Sequence, residues 1–233
     1  LHVRSRRQRQ MCIRDSRCAV VRYTSTMYVL TVDQQSSRTQ PDRVPELLKA
    51  VEGVSTVLPF VRTVGDEAQA VLESAPHVVR ACIAIARTGQ WSIGIGLGEV
   101  EHPLPDSSDQ ARGQAFIAAR TAVEAAKNTW SPLCVETATT SEDHIKDAQD
   151  AQTVLRLMFD LTTRATDAQW QVIDALRNTP GASQTQIAED LNISQQAVSK
   201  SLRAGRAEGI MEAIDCAERL LDRAHQPWET HAH

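Results

Sequence analysis

The chain has 233 residues, an apolar content of 42% and a formal net charge of −4. This length allows one large domain or two small ones, and the composition is sufficient for a packed core. The negative net charge excludes a protein that coats nucleic acid through bulk charge, so any DNA contact must come from a locally basic element.

The cysteine pattern and the absence of common motifs exclude several classes of protein. Five cysteines are scattered without CxxC spacing, which argues against a zinc site and a disulfide framework. No run approaches the roughly 20 apolar residues of a membrane helix, so we expect a cytoplasmic protein with no membrane partner. Phosphate-loop, GxSxG and HExxH motifs are absent, and no residue is assigned a catalytic role.

The first 26 residues differ in composition from the rest of the chain. They carry seven arginines and a single acid, Asp15, with no helix or strand period. One interpretation is a basic arm that binds nucleic acid. However, the run RRQRQMCIRDS closely resembles translated sequencing-adapter read-through, which predicts a non-native leader over residues 1–26 and a natural start at Met27.

Residues 27–140 predict a mixed α/β unit. A buried strand over 27–33 is followed by an amphipathic helix, a hairpin, a second helix, a glycine-rich strand, a third helix and a last strand. The order β-α-β-β-α-β-α-β predicts an α+β fold, with a ferredoxin-like mixed sheet and its helices on one face. The glycines of WSIGIGLGEV predict close backbone approach at that strand. The predicted strands cover residues 27–33, 56–62, 67–72, 91–100 and 133–136.

The C-terminal part reads as helical. A connecting helix over 141–165 is predicted either to pack within the chain or to pair with a second subunit. Residues 166–224 are predicted to form an all-α helix-turn-helix domain, followed by a disordered tail at 225–233. Thr166, Ser183 and Ser194 each stand where a helix N-cap is expected. Asn192 suits a left-handed turn residue, and Ile193 is expected to fill the corner that follows it. The run QTQIAEDLNISQQAVSKSL therefore predicts a helix-turn-helix motif.

The last helix of this motif is expected to face DNA with amides and hydroxyls for base edges and cations for phosphates. The alternative is a solvated helix in a bundle that mediates protein contacts. The residues predicted to contact DNA are Ser194, Gln195, Gln196, Ser199, Lys200, Arg203 and Arg206.

Three segments of the N-terminal unit carry a resemblance. YVLTVDQQSSR, RTVGDEAQAVL and WSIGIGLGEVE, followed by GQAFIAAR, resemble in order and spacing the catalytic core of class III nucleotide cyclases, a ferredoxin-like palm domain. The resemblance implies that Asp33 at a strand end and Asp66 at a hairpin tip bind metal ions on a nucleoside triphosphate. Magnesium prefers such carboxylates together with phosphate oxygens.

The same motifs depart from the cyclase pattern at two positions. Arg120 matches the arginine of the Asn-x-x-x-Arg helix motif, but Phe116 stands in place of its asparagine, and Arg62 replaces a lysine before the hairpin tip. The loss of a transition-state group argues against turnover, whereas nucleotide binding through Arg62 and Arg120 is retained as an expectation. The alternative is that Asp33 is an ordinary strand-end residue and Asp66 an ordinary turn residue, and that neither binds a ligand.

The layout of the whole chain after Met27 also resembles the bacterial SatD family, particularly in TVDQ, VGDE and ISQQAVS. The expectation is a DNA-binding transcriptional regulator whose degenerate cyclase-like domain senses a ligand or mediates assembly, as a homodimer. The rival is a metal-dependent nucleotide-binding or nucleotide-processing enzyme that the helix-turn-helix module tethers.

Overall fold

The computed structural model describes residues 23–225 and confirms the α+β class. Five strands form one mixed sheet in the order β2-β3-β1-β4-β5, in which only the β4–β5 pair is parallel. A short 3₁₀ turn precedes the third helix. The elements are β1 (Tyr23–Gln34), α1 (Val44–Val51), β2 (Leu58–Arg62), β3 (Glu67–Leu72), α2 (Ala75–Thr88), β4 (Trp91–His102), the 3₁₀ turn (Ser108–Gln110), α3 (Gln114–Ala126), β5 (Leu133–Thr137), α4 (Glu142–Arg164), α5 (Asp167–Asn178), α6 (Gln184–Asp190), α7 (Gln195–Ala204) and α8 (Ala207–Ala224).

The first strand begins four residues earlier than predicted. β1 pairs with β4 without interruption from Tyr23 opposite His102 to Gln34 opposite Trp91. The Tyr23 ring stacks on His102 with ring centroids 4.3 Å apart, which fixes the strand end. Residues 23–26, assigned above to the leader, therefore belong to this strand, while residues 1–22 lie outside the described part of the chain.

Helices cover both faces of the sheet, so the prediction of helices on one face is wrong. Alternate residues of β1 such as Leu30 point into a large core with α1, α2, α4 and α8. The other face of β4 presents Gly94, Gly96 and Gly98 to α3. A Cβ atom on Gly96 would lie 2.1 Å from the Ala115 carbonyl oxygen, so only glycine permits this approach. The predicted close backbone approach is confirmed.

The predicted connecting helix α4 packs within the chain against the edge strand β5. Gln152 accepts a hydrogen bond from the Val135 backbone N–H at 2.9 Å, and Arg156 Nε donates to the Leu133 carbonyl at 2.7 Å. These side chains satisfy backbone groups that an edge strand otherwise leaves open to pairing with another chain. On its inner side, α4 buries Leu155 completely in the large core.

The last helix ties the C-terminal region to the sheet. Tyr28 is fully buried in β1, and its hydroxyl donates to the Leu221 carbonyl of α8 at 3.0 Å. Trp170 of α5 belongs to the same large core, and its indole donates to the Thr162 carbonyl at 3.2 Å. One core therefore extends from the sheet to the first helix of the predicted motif. In the part of the chain between residues 23 and 225, no helix has the length and apolar character needed to cross a membrane.

Candidate functional site: a helix-turn-helix surface and a groove at the sheet edge

The helix starts of the predicted motif are fixed by side-chain caps. Thr166 and Gln169 form a reciprocal capping box at α5. The Ser183 hydroxyl accepts from the Gln186 N–H at 3.2 Å, and the Ser194 hydroxyl accepts from the Ala197 N–H at 3.1 Å. Each cap satisfies a backbone donor that the first turn leaves unpaired, and a cap of this kind stabilises a helix by roughly 1 kcal/mol. The three predicted N-caps are confirmed.

The turn between α6 and α7 follows the predicted geometry at its backbone. Asn192 has φ of 53°, the left-handed conformation that asparagine tolerates. The next N–H, from Ile193, donates to the Ala188 carbonyl at 2.9 Å and closes the turn.

The prediction that Ile193 fills this corner is wrong, because its side chain is 41% exposed. A small core of other residues occupies the space between the helices, which leaves Ile193 on the surface beside α7. That core consists of Val172, Ile187, Ala188 and Val198.

One face of α7 is exposed, polar and basic. Gln195, Gln196, Lys200 and Arg203 are exposed on it, Ser199 is half-buried, and the cap residue Ser194 is exposed just before it. The sequence of α7 contains no acidic residue. Among the described residues, no ion pair involves Lys200 or Arg203, so both cations are available for phosphates.

Arg206 lies outside the recognition face that the sequence predicted. α7 ends at Ala204, and Arg206 has φ of 52° as the residue that precedes α8. A left-handed residue breaks the helical path, so α8 starts in a new direction. The Arg206 side chain is exposed but is not carried on α7.

Sequence reasoning missed Gln184, which the structure places beside Gln195. These are the first residues of α6 and α7, and Gln195 Nε2 donates to Gln184 Oε1 at 3.0 Å. The repeated Ser-Gln pairs at 183–184 and 194–195 were the available signal, because each serine caps a helix that its glutamine begins.

A second candidate site is a groove of about 900 Å³ at the end of the sheet where the central strand β1 finishes. Asp33 and Asp66 both line it, as expected from the hairpin that places β3 beside β1. Ser36, Lys127 and the exposed ring of Trp130 also line the groove. The structure therefore brings the two predicted metal-binding carboxylates to one cavity.

Lys127, which the sequence analysis did not single out, lies against Asp33. Its Nζ is 3.3 Å from Asp33 Oδ2 and 3.0 Å from Glu124 Oε1. Burial raises the pKa of the Asp33 carboxyl, Lys127 opposes that shift, and the charge of Asp66 adds to it. The ammonium group of Lys127 thus supplies a positive charge beside the partly buried Asp33 carboxylate.

The two predicted nucleotide-binding arginines do not line this groove. Arg62 pairs with Asp42 at 2.5 Å, and Arg120 pairs with Glu67 and Glu124. Both guanidinium groups are therefore engaged by carboxylates that do not line the groove, although Glu124 also contacts Lys127. Over residues 23–225, no group of three or more His, Cys, Asp or Glu side chains is arranged to hold a metal ion.

Comparisons with known proteins bear on the C-terminal region. Residues 162–214 match the model of the MarR family. No curated protein matches the chain. A solved structure described as a regulator of polyketide synthase expression from Bifidobacterium adolescentis is 12% identical, with 86% of this chain and 82% of that chain covered, and a TM-score of 0.28. At this TM-score the two structures do not share a demonstrable fold.

The family match covers the capped helices α5, α6 and α7 and the first part of α8. It supports a helix-turn-helix domain of the MarR type and, with it, a DNA-binding transcriptional regulator. The matching family is not that of SatD proteins or nucleotide cyclases, so those two resemblances rest on the sequence motifs alone.

Proposed function

We propose that the protein is a transcriptional regulator that inserts α7 into the major groove of DNA. The observation that carries this proposal is the face of α7, which exposes Lys200 and Arg203 without any carboxylate partner in the described chain. In a protein of net charge −4, α7 is locally basic, because it carries two exposed cations and no acid. A helix of this kind can bind DNA where the rest of the surface repels it.

The face of α7 divides by chemistry along the helix. Ser194, Gln195 and Gln196 lie at its start, where the recognition helix of a helix-turn-helix motif meets base edges. Ser199 adds a hydroxyl in the middle. Lys200 and Arg203 follow, and Arg206 comes just beyond, so the cations lie where they would contact phosphates on either side of the groove.

The α/β region is proposed to act as the sensory or assembly part of the regulator. Its groove holds carboxylates and Lys127 at one end of β1, and the same strand bonds to α8 through Tyr28. α8 follows α7 after only Gly205 and Arg206. A ligand that altered β1 would therefore act on the element adjoining the recognition helix. We also propose a cytoplasmic homodimer, since two copies would read two half-sites.

A selection from randomised duplex DNA tests the regulator directly. The full chain is expected to enrich a defined sequence and to bind it saturably in competition with bulk DNA. The Lys200→Ala/Arg203→Ala variant is expected to lose that binding, whereas the Lys49→Ala/Lys146→Ala variant, which removes two exposed cations from α1 and α4, retains it. Enrichment of no sequence above background would overturn the proposal.

The groove supports a second candidate function, binding or processing of a nucleotide with Mg²⁺. The specific observation is that Asp33 and Asp66 share one cavity with Lys127 and Ser36. Metal-dependent turnover of a nucleoside triphosphate that Asp66→Ala abolishes would establish an enzyme. If the protein binds a nucleotide but does not turn it over, the groove is a sensor site and not an active site. If it neither binds nor turns over a nucleotide, this second function is overturned.

A further inference from the structure

The amide pair formed by Gln184 and Gln195 bridges the two helices of the motif at the surface that is proposed to face DNA. Gln195 Nε2 lies 3.0 Å from Gln184 Oε1, and both residues are exposed. Each residue follows a capping serine, so its backbone is fixed by a hydrogen bond within the first turn. An exposed glutamine normally samples several rotamers, and this contact restricts both side chains before DNA arrives.

We propose that Gln195 reads an adenine in the major groove and that Gln184 is the positioning residue that holds it for this contact. The inference rests on the proposed function and assigns a base to the face of α7 that is proposed to contact DNA. A glutamine amide reads adenine through two hydrogen bonds, accepting from N6 and donating to N7.

The count of donors and acceptors allows both roles at once. A glutamine amide has two N–H donors and a carbonyl oxygen with two lone pairs. After Gln195 gives one N–H to Gln184, it keeps the second N–H and its whole oxygen, which are the two groups that adenine requires. The same holds if the two amides exchange roles, because Gln195 would then keep both N–H groups and one lone pair.

The neighbouring residues favour an A·T pair over a G·C pair at this position. Arginine and lysine are the usual readers of guanine, and acidic residues accept from cytosine. The start of α7 has neither, since its first cation is Lys200 and the helix carries no acid. Ile193, 41% exposed just before the cap, presents apolar surface of the kind that contacts the thymine methyl group.

The test measures base preference for the full chain on the sequence that selection enriches. Wild-type protein is expected to prefer A·T at one position by roughly 5- to 150-fold over other pairs, the range for a bidentate contact. Replacement of that adenine by 7-deazaadenine, which lacks the N7 acceptor, should weaken wild-type binding. Gln195→Ala should lose the preference and become insensitive to 7-deazaadenine.

Variants of Gln184 separate positioning from folding. Gln184→Ala should reduce the adenine preference and the 7-deazaadenine effect while the thermal midpoint of unfolding stays unchanged, since the residue is exposed. Gln184→Glu keeps an oxygen acceptor for Gln195, so it should retain the preference while overall affinity falls through added negative charge. Gln186→Ala, an exposed amide of α6 outside the pair, is the matched control and should change neither quantity.

The outcomes distinguish this inference from the proposed function. If the protein binds a selected sequence through Lys200 and Arg203 but Gln195→Ala leaves base preference unchanged, the adenine contact is overturned and the regulator stands. If Gln184→Ala retains the full preference, Gln184 is not a positioning residue. If the wild-type chain enriches no sequence, both the regulator and this contact are overturned.

Discussion

The charged groups on α8 illustrate how single residues set stability. Burial raises the pKa of Glu218 above its ordinary value of 4.5, and the charges of Asp215 and Asp222 add to the shift, whereas Arg177 opposes it. A carboxyl whose pKa is raised by folding favours the folded state below its unfolded pKa. That contribution is lost as the pH rises through the folded value.

Glu218→Gln is therefore expected to raise the free energy of unfolding at pH 7, because the neutral amide avoids the unfavourable ionised form. The gain should shrink as the pH falls and vanish below about pH 4, where the carboxyl is protonated in both states. Urea unfolding across this pH range measures it. Glu212→Gln, an exposed residue of the same helix, should change stability by less than about 0.5 kcal/mol. Equal effects of the two substitutions would contradict the assignment.

Residue-level sequence reasoning succeeded where the determinant is local. The caps Ser183 and Ser194 and the left-handed Asn192 depend on a few neighbouring residues, so the sequence contains what decides them. Lys127 beside Asp33 depends on how elements far apart in the sequence pack, which no local pattern encodes. The contact between Gln184 and Gln195 depends on how α6 and α7 cross, and the repeated Ser-Gln pairs were its signal in the sequence.

At the scale of elements, the contact between α3 and β4 depends on glycine. A Cβ atom at Gly96 would meet the backbone of α3 at 2.1 Å and 2.3 Å, and a helix backbone cannot move alone. Gly209 in α8 has open space around it and a negative φ, so it offers a control with the same chemical change.

Gly96→Ala is expected to destabilise the protein by about 3 kcal/mol or more, because α3 must shift away from the sheet. Gly209→Ala should instead stabilise it by roughly 0.5 kcal/mol by reducing the freedom of the unfolded chain. Chemical denaturation of both variants provides the comparison. A Gly96→Ala variant as stable as the wild type would show that α3 does not lie on these glycines.

The same contact shows where element-level prediction stopped. The glycine spacing in β4 correctly indicated close approach, and the order of helices and strands was correct. The sheet face that each helix covers was predicted wrongly. A buried sheet face is normally recognised by its apolar side chains, and the glycines of β4 have none. The small residues Ala115 and Ala119 of α3 pack against this glycine face.

At the scale of the whole molecule, the sheet and the first helix of the motif share a core. Trp91 of β4 and Trp170 of α5 are both buried in it, although boundaries at residues 140 and 165 were predicted to separate their units. Helices α4 and α8 pack between these parts and connect them.

We therefore expect Trp91 and Trp170 to lose their native signals at the same urea concentration. Protein labelled with 5-fluorotryptophan and followed by ¹⁹F NMR reports each ring separately, and Trp→Phe variants assign the signals. Coincident midpoints would indicate one cooperative unit. Midpoints separated by more than the error of the fits would show that the α/β region and the helix-turn-helix region unfold independently.

The central claim, that α7 binds the DNA backbone through Lys200 and Arg203, is tested most directly by the salt dependence of DNA binding. The full chain, the Lys200→Ala/Arg203→Ala variant and the Lys49→Ala/Lys146→Ala control share any contribution from the basic first residues, so differences report α7. The account predicts that the slope of log affinity against log salt falls by about 2 in the α7 variant, about 1 for each lost phosphate contact, and stays unchanged in the control. An α7 variant whose slope equals that of the wild type would contradict the account.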